Sequence, residues 1–106
     1  MAAFIMLTRL AHGAIRSPEQ LEKLEKEVMK RIEEGLGGGQ VKWLANYAVL
    51  GPYDYLDIFE APDIEAAMKV SAIVRTLGHA HTEVWAATEW KRFKEIVRDL
   101  PTGGGD

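Results

Sequence analysis

Ala48-Val49-Leu50-Gly51-Pro52-Tyr53-Asp54-Tyr55-Leu56-Asp57-Ile58-Phe59-Glu60 lies in the middle of a 106-residue chain. Two apolar runs meet at Gly51-Pro52. Proline presets φ for a turn and glycine takes backbone angles that other residues avoid, so this stretch reads as a β-hairpin. Residues 40–50 form one arm and residues 53–60 the other. The hairpin splits the chain into similar halves, each with strands and one helix.

Before the hairpin, the apolar run Phe4 to Leu10 reads as a first strand, bounded by His12-Gly13. Ser17-Pro18-Glu19-Gln20 then opens a helix. Ser17 caps the free amides, Pro18 suits the first helical position and Gln20 completes a capping box. Leu21, Leu24, Val28 and Ile32 recur at helical spacing and mark the core face. Glu22 with Lys26 and Glu27 with Arg31 are opposite charges four apart, the ordinary support of a solvated face. The glycines at 35 and 37–39 end that helix. Because they follow a helix rather than lead from a strand into one, they do not read as a phosphate-cradling loop.

After the hairpin, Pro62-Asp63 stops the strand and Asp63 caps a second helix, with Ala66, Ala67, Val70, Ile73, Val74 and Leu77 turned to the core. Gly78 ends it. His79 to Ala87 reads as the fourth strand, and Thr88 as the cap of a third helix carrying Trp90, Phe93, Val97 and Leu100 before Pro101. The order is β-α-β-β-α-β followed by α. This is an α+β chain of the ferredoxin-like, split βαβ class with an added C-terminal helix. Residues 1–100 read as a single domain, and residues 101–106 as a disordered glycine-rich tail.

Hydrophobic residues make up 47% of the chain and charged residues 27%, as in an ordinary globular domain. A net charge of −3, from 13 basic and 16 acidic side chains intermixed, disfavours nucleic acid as a partner. The apolar N-terminal run is too short to span a bilayer and lacks a signal-peptide pattern, so no membrane role is expected. With no cysteine there is no disulfide, thiolate metal site or cysteine nucleophile, and a cytoplasmic location fits.

Strands with one wet face alternate apolar with polar residues. Phe4-Ile5-Met6-Leu7 is continuous instead, and the run from Val41 to Leu50 sends large apolar groups both ways. Two crossover helices cover one face of such a sheet, and the C-terminal helix is too short to cover all of the other. A bare apolar face of several hundred Å² is a liability in a monomer, so the reading is a homodimer with a second copy stacked on it.

The residues from Leu50 to Asp63, LGPYDYLDIFEAPD, together with Leu77-Gly78-His79-Ala80-His81-Thr82-Glu83, resemble the GYD domain family, and the likeness runs from about Phe4 to about Phe93. The resemblance implies a dimeric α/β barrel, in which two sheets face each other across a cavity. It does not extend to His79 and His81, where the family pattern carries other residues, so chemistry built on those two belongs to this member. By analogy of fold, dimeric α/β barrels include small oxygenases and isomerases.

Alternation along the fourth strand places His79, His81, Glu83 and Trp85 on one face, with successive members roughly 7 Å apart. His12, at the end of the neighbouring first strand, falls at the same corner. His12, His79, His81 and Glu83 are therefore a candidate set for a divalent transition metal held at about 2.1 Å: zinc, iron, manganese, nickel or copper. The alternatives are a histidine acting as a general base, and histidines that are merely solvated at a strand end. On the third strand, taking Leu56 and Ile58 as the helix side turns Tyr55 and Asp57 toward the cavity. Asp57 is then a carboxylate in an apolar chamber, or it is hydrogen-bonded to Thr8 or Arg9. Trp43, Tyr47 and Trp85 would line the pocket with them, or pack as core and interface aromatics. The favoured function is a binding module for a small molecule or ion. The contender is a small enzyme using His79 and His81, and a third possibility is assembly with other proteins.

Overall fold

The computed structural model describes residues 1–101, so the tail expected at 101–106 lies almost wholly outside the described residues. Seven elements follow in order: β1 (Ala2–Leu10), α1 (Pro18–Leu36), β2 (Lys42–Ala48), β3 (Tyr55–Ala61), α2 (Ile64–Gly78), β4 (Ala80–Ala87) and α3 (Trp90–Arg98). The strands form one antiparallel sheet in the order β2-β3-β1-β4, the arrangement expected of a ferredoxin-like chain.

Local chemistry sets most of the boundaries. The Gln20 amide donates to Ser17 Oγ at 3.2 Å and the Gln20 side chain accepts from the Arg16 amide at 2.7 Å, which together fix the start of α1. Gly37, at φ 91°, closes that helix as its amide bonds the Glu33 carbonyl at 2.8 Å. Asp63 caps α2 through the Ala66 amide at 2.8 Å. The hairpin is pinned where the Val49 amide reaches the Asp54 carbonyl at 2.9 Å. Asp54 itself serves a distant backbone group: its Oδ2 accepts from the Leu10 amide at 2.8 Å, tying the turn to the end of β1. The third helix departs from expectation, since its N-cap is Glu89 rather than Thr88 and the Glu89 side chain makes no capping bond.

The strand register sorts side chains onto two faces. Phe4, Met6 and Thr8 share one face with Tyr55, Asp57, Phe59 and Ala61, and with Thr82 and Val84. On this face lies the core, where Phe4, Met6, Phe59 and Ala61 meet Ala66, Ala67 and Val70 of α2 and Ile32 of α1. Phe59 is 0% exposed, stacked on Phe4 at 5.7 Å and against Trp43 at 5.3 Å between ring centroids. Burial along α1 grows toward its C-terminal half: Ile32 is buried, Leu24 and Val28 are half-buried, and Leu21 is exposed. A bond of 2.6 Å between Ser71 and Thr82 fastens α2 to β4.

The other face is left bare. In the strand order it carries a row of Ala45, Ile58, Ile5 and Trp85, then a row of Tyr47, Leu56, Leu7 and Glu83. Lys42 and Glu60 stand at one end of these rows, Arg9 and His81 at the other. The third helix was expected to cover part of this face, but none of its residues is buried, and among the described residues its backbone comes close to no other helix or strand. The Cα trace measures 61 × 33 × 18 Å, and its thin dimension holds one sheet and one helix layer only.

Candidate functional site

A polar cluster sits at one edge of the bare face. On β4, Glu83 is half-buried between its same-face neighbours: His81 Nε2 lies 4.0 Å from Glu83 Oε2, and Trp85 Nε1 donates to Glu83 Oε1 at 3.4 Å. Alternation along an extended strand puts the three together, as the sequence suggested. Arg9 pairs with His81 in register, and its guanidinium lies 5.9 Å from the centre of the Tyr53 ring. Beside this cluster runs the aliphatic centre of the sheet, flanked by Tyr47 and Trp85, exposed at 60% and 51%. A carboxylate, an imidazole, an indole N–H and a guanidinium at the margin of an apolar surface can orient a bound group by hydrogen bonds while the aliphatic rows exclude water.

His79 does not join them. It lies outside β4 as the C-cap of α2, in the left-handed region at φ 47°, and this turn breaks the alternation expected to begin there. The corner itself forms as the topology required, with the Ala11 amide bonded to the His79 carbonyl at 3.1 Å, next to His12. Among the described residues, however, no group of three or more histidine or acidic side chains is placed to hold a metal ion, so His12, His79, His81 and Glu83 are not brought together as a ligand set.

The expected facing of β3 is reversed. Tyr55 and Asp57 point to the helix side, while Leu56 and Ile58 point to the bare face. Both phases of Tyr55 to Ala61 present large apolar residues, so periodicity alone does not select one. The deciding weight is the pair Phe59 and Ala61, which fits beneath the small residues Ala66 and Ala67 of α2. Trp43 follows Phe59 to the helix side, and a bulge at Leu44 restores Ala45 and Tyr47 to the bare face. Of the six proposed ligand contacts, Tyr47, Glu83 and Trp85 therefore share the bare face, whereas Trp43, Tyr55 and Asp57 lie behind it.

Asp57 has a structural partner in Asn46, whose Nδ2 donates to Asp57 Oδ1 at 2.6 Å, rather than in Thr8 or Arg9. Burial raises its carboxyl above the ordinary range, and the Asn46 bond offsets only part of that. Burial raises the Tyr55 hydroxyl too, helped by the charges of Asp54 and Asp57. Sequence reasoning missed the contribution of Arg9 to the β4 cluster. The signal was available, since antiparallel pairing of β1 with β4 sets a residue near the end of β1 opposite the start of β4.

Comparison with known proteins places these features in context. The family model described as "GYD domain" matches residues 4–97. A protein of Thermus thermophilus, "Glutamine synthetase and cystathionine beta-lyase binding protein", is 33% identical over 86 residues, which cover 77% of this chain and 83% of the relative. Two solved structures share the fold. SCO4226 of Streptomyces coelicolor A3(2) has a TM-score of 0.50 at 17% identity, over 81% of this chain and 96% of its own. At3g17210 of Arabidopsis thaliana has a TM-score of 0.53 at 14% identity, over 84% and 95%. No described helix is long and apolar enough to cross a membrane.

Proposed function

Since the chain belongs to the GYD domain family, we propose that it is a binding module rather than an enzyme, acting as a homodimer whose stacked sheet faces form the body that engages a partner protein. One observation carries this reading: Ile5, Leu56 and Ile58, each half-buried, surround the buried Leu7 in a continuous aliphatic patch on a sheet face that no described helix of their own chain covers. Burying such a surface is the main favourable term in association, and a sheet face stacks readily on a copy of itself. Binding is favoured over catalysis because the histidines on which a reaction would rest do not converge. A protein partner is favoured because a relative 33% identical over 86 residues is named for binding glutamine synthetase and cystathionine beta-lyase. We place the pair in the cytoplasm, consistent with a chain free of cysteine.

The test is a titration of the full-length protein against purified glutamine synthetase and, separately, cystathionine beta-lyase of its own organism, followed by calorimetry. Saturable binding of either supports the reading. No binding of either at tens of micromolar, from a verified dimer, refutes the partner assignment.

A second reading is a small molecule or ion held between the two sheets. It is favoured by the half-buried Glu83, flanked by His81 and Trp85 on the face that stacking would enclose. Glu83→Gln separates the two readings, because it would weaken a cationic ligand inside the dimer while leaving a protein partner on the outside unaffected.

A further inference from the structure

The third helix has no place on its own chain. α3 spans nine residues, none of them buried, and among the described residues its backbone lies near no other element; its apolar side is in the open, with Trp90 at 70% and Phe93 at 43% exposure and Val97 and Leu100 beside them. Isolated helices shorter than about 12–15 residues are marginal in water, so a nine-residue helix needs a surface to pack on. Because only the Thr88-Glu89 link separates it from edge strand β4, and it lies over neither layer of its own subunit, the surface it can use belongs to another molecule.

From these features we infer that α3 is exchanged between two copies of this chain, each helix packing its Trp90, Phe93 and Val97 stripe on the body of the other copy. This rests on the face-to-face dimer proposed above. Area argues for it. Four strands about 4.8 Å apart and about 25 Å long offer roughly 500 Å² of sheet in outline, short of the about 800 Å² per partner that a stable interface uses. A nine-residue helix about 14 Å long and 10 Å wide adds roughly 140 Å² of its own and covers as much on the other copy, which closes the gap. Charge argues in the same direction. α3 carries Lys91, Arg92, Lys94 and Arg98 against Glu95 alone, whereas the body that would receive it, residues 1–89, carries 13 carboxylates against 9 basic side chains. Exchange of a terminal element is also a low-cost route to a dimer, since the link need not refold.

The experiment combines sedimentation equilibrium of the full-length protein and of a Trp90→Ser, Phe93→Ser double variant with photo-crosslinking from a benzophenone side chain placed at residue 94. Exchange predicts that crosslinks join two chains, and that the double variant dimerises at least about tenfold more weakly, as loss of central aromatic anchors does, with its sheet intact by circular dichroism. A wild-type dimer whose crosslinks stay within one chain, or whose affinity the double variant matches, overturns the exchange and leaves the face-to-face dimer standing. A folded wild-type monomer overturns both. Crosslinking to anionic phospholipid vesicles in place of a second chain assigns the helix to a membrane surface and overturns the exchange as well.

Discussion

Asn46 donates its side-chain N–H to Asp57 Oδ1 at 2.6 Å across the β2–β3 pair, on the face of the sheet that the helices cover. The bond holds a carboxylate whose proton affinity burial has raised above the ordinary 3.8. A folded-state value above the unfolded one means that the native chain holds this proton more tightly. The stabilisation is whole below the unfolded value and is lost as pH rises through the folded value. The midpoint of urea unfolding should therefore carry a component that falls as pH rises from about 4 toward neutrality, and that component should vanish in Asp57→Asn. In Asn46→Ala the lost bond should cost about 1 kcal/mol at neutral pH, less than is usual for a charged acceptor because Asn46 is exposed.

Phe59 is the centre of the core, touching the rings of Phe4 and Trp43. Phe59→Ala should cost about 3–5 kcal/mol, the usual loss for an aromatic residue removed from a close-packed site. Chemical denaturation monitored by tryptophan fluorescence reads it directly, because Trp43 reports on the same cluster.

Thr8 is buried on the helix side, and among the described residues its hydroxyl has no hydrogen-bond partner. Valine has nearly the same shape without the unpaired polar atom, so Thr8→Val should hold stability level or raise it by about 1 kcal/mol. A loss of more than that in thermal or urea unfolding would mean that the hydroxyl has a partner in solution.

Ile58 lies at the centre of the bare face, opposite Ile5. Ile58→Glu should leave the fold intact, since the residue is not part of the helix-side core, and should abolish self-association by placing a charge in a dry interface. Circular dichroism together with light scattering separates this outcome from simple unfolding.

The element order was legible because its signals are local: the cap residues Ser17 and Asp63, the turn at Gly51-Pro52, and the helical spacing of Val70, Ile73 and Val74. The facing of β3 was not. Tyr55 to Ala61 is apolar in both phases, and only the fit of Phe59 and Ala61 under Ala66 and Ala67, a contact remote in sequence, decides between them. The bulge at Leu44 changes phase within β2 without any glycine or proline to announce it. The candidate site divided in the same way. His81, Glu83 and Trp85 came together because alternation within a strand is a local rule, whereas His79 was lost to a left-handed helix cap. The amphipathic character of α3 was plain in Trp90, Phe93 and Val97, but periodicity says which side is apolar and not what covers it.

The central claim is that a second copy covers Ile5, Leu7, Leu56 and Ile58. Sedimentation equilibrium of the full-length protein at micromolar concentration tests it most directly. The predicted result is twice the mass of one chain, falling to that of a single chain in Ile58→Glu. A well-folded wild-type chain that keeps the mass of one copy throughout that range contradicts it.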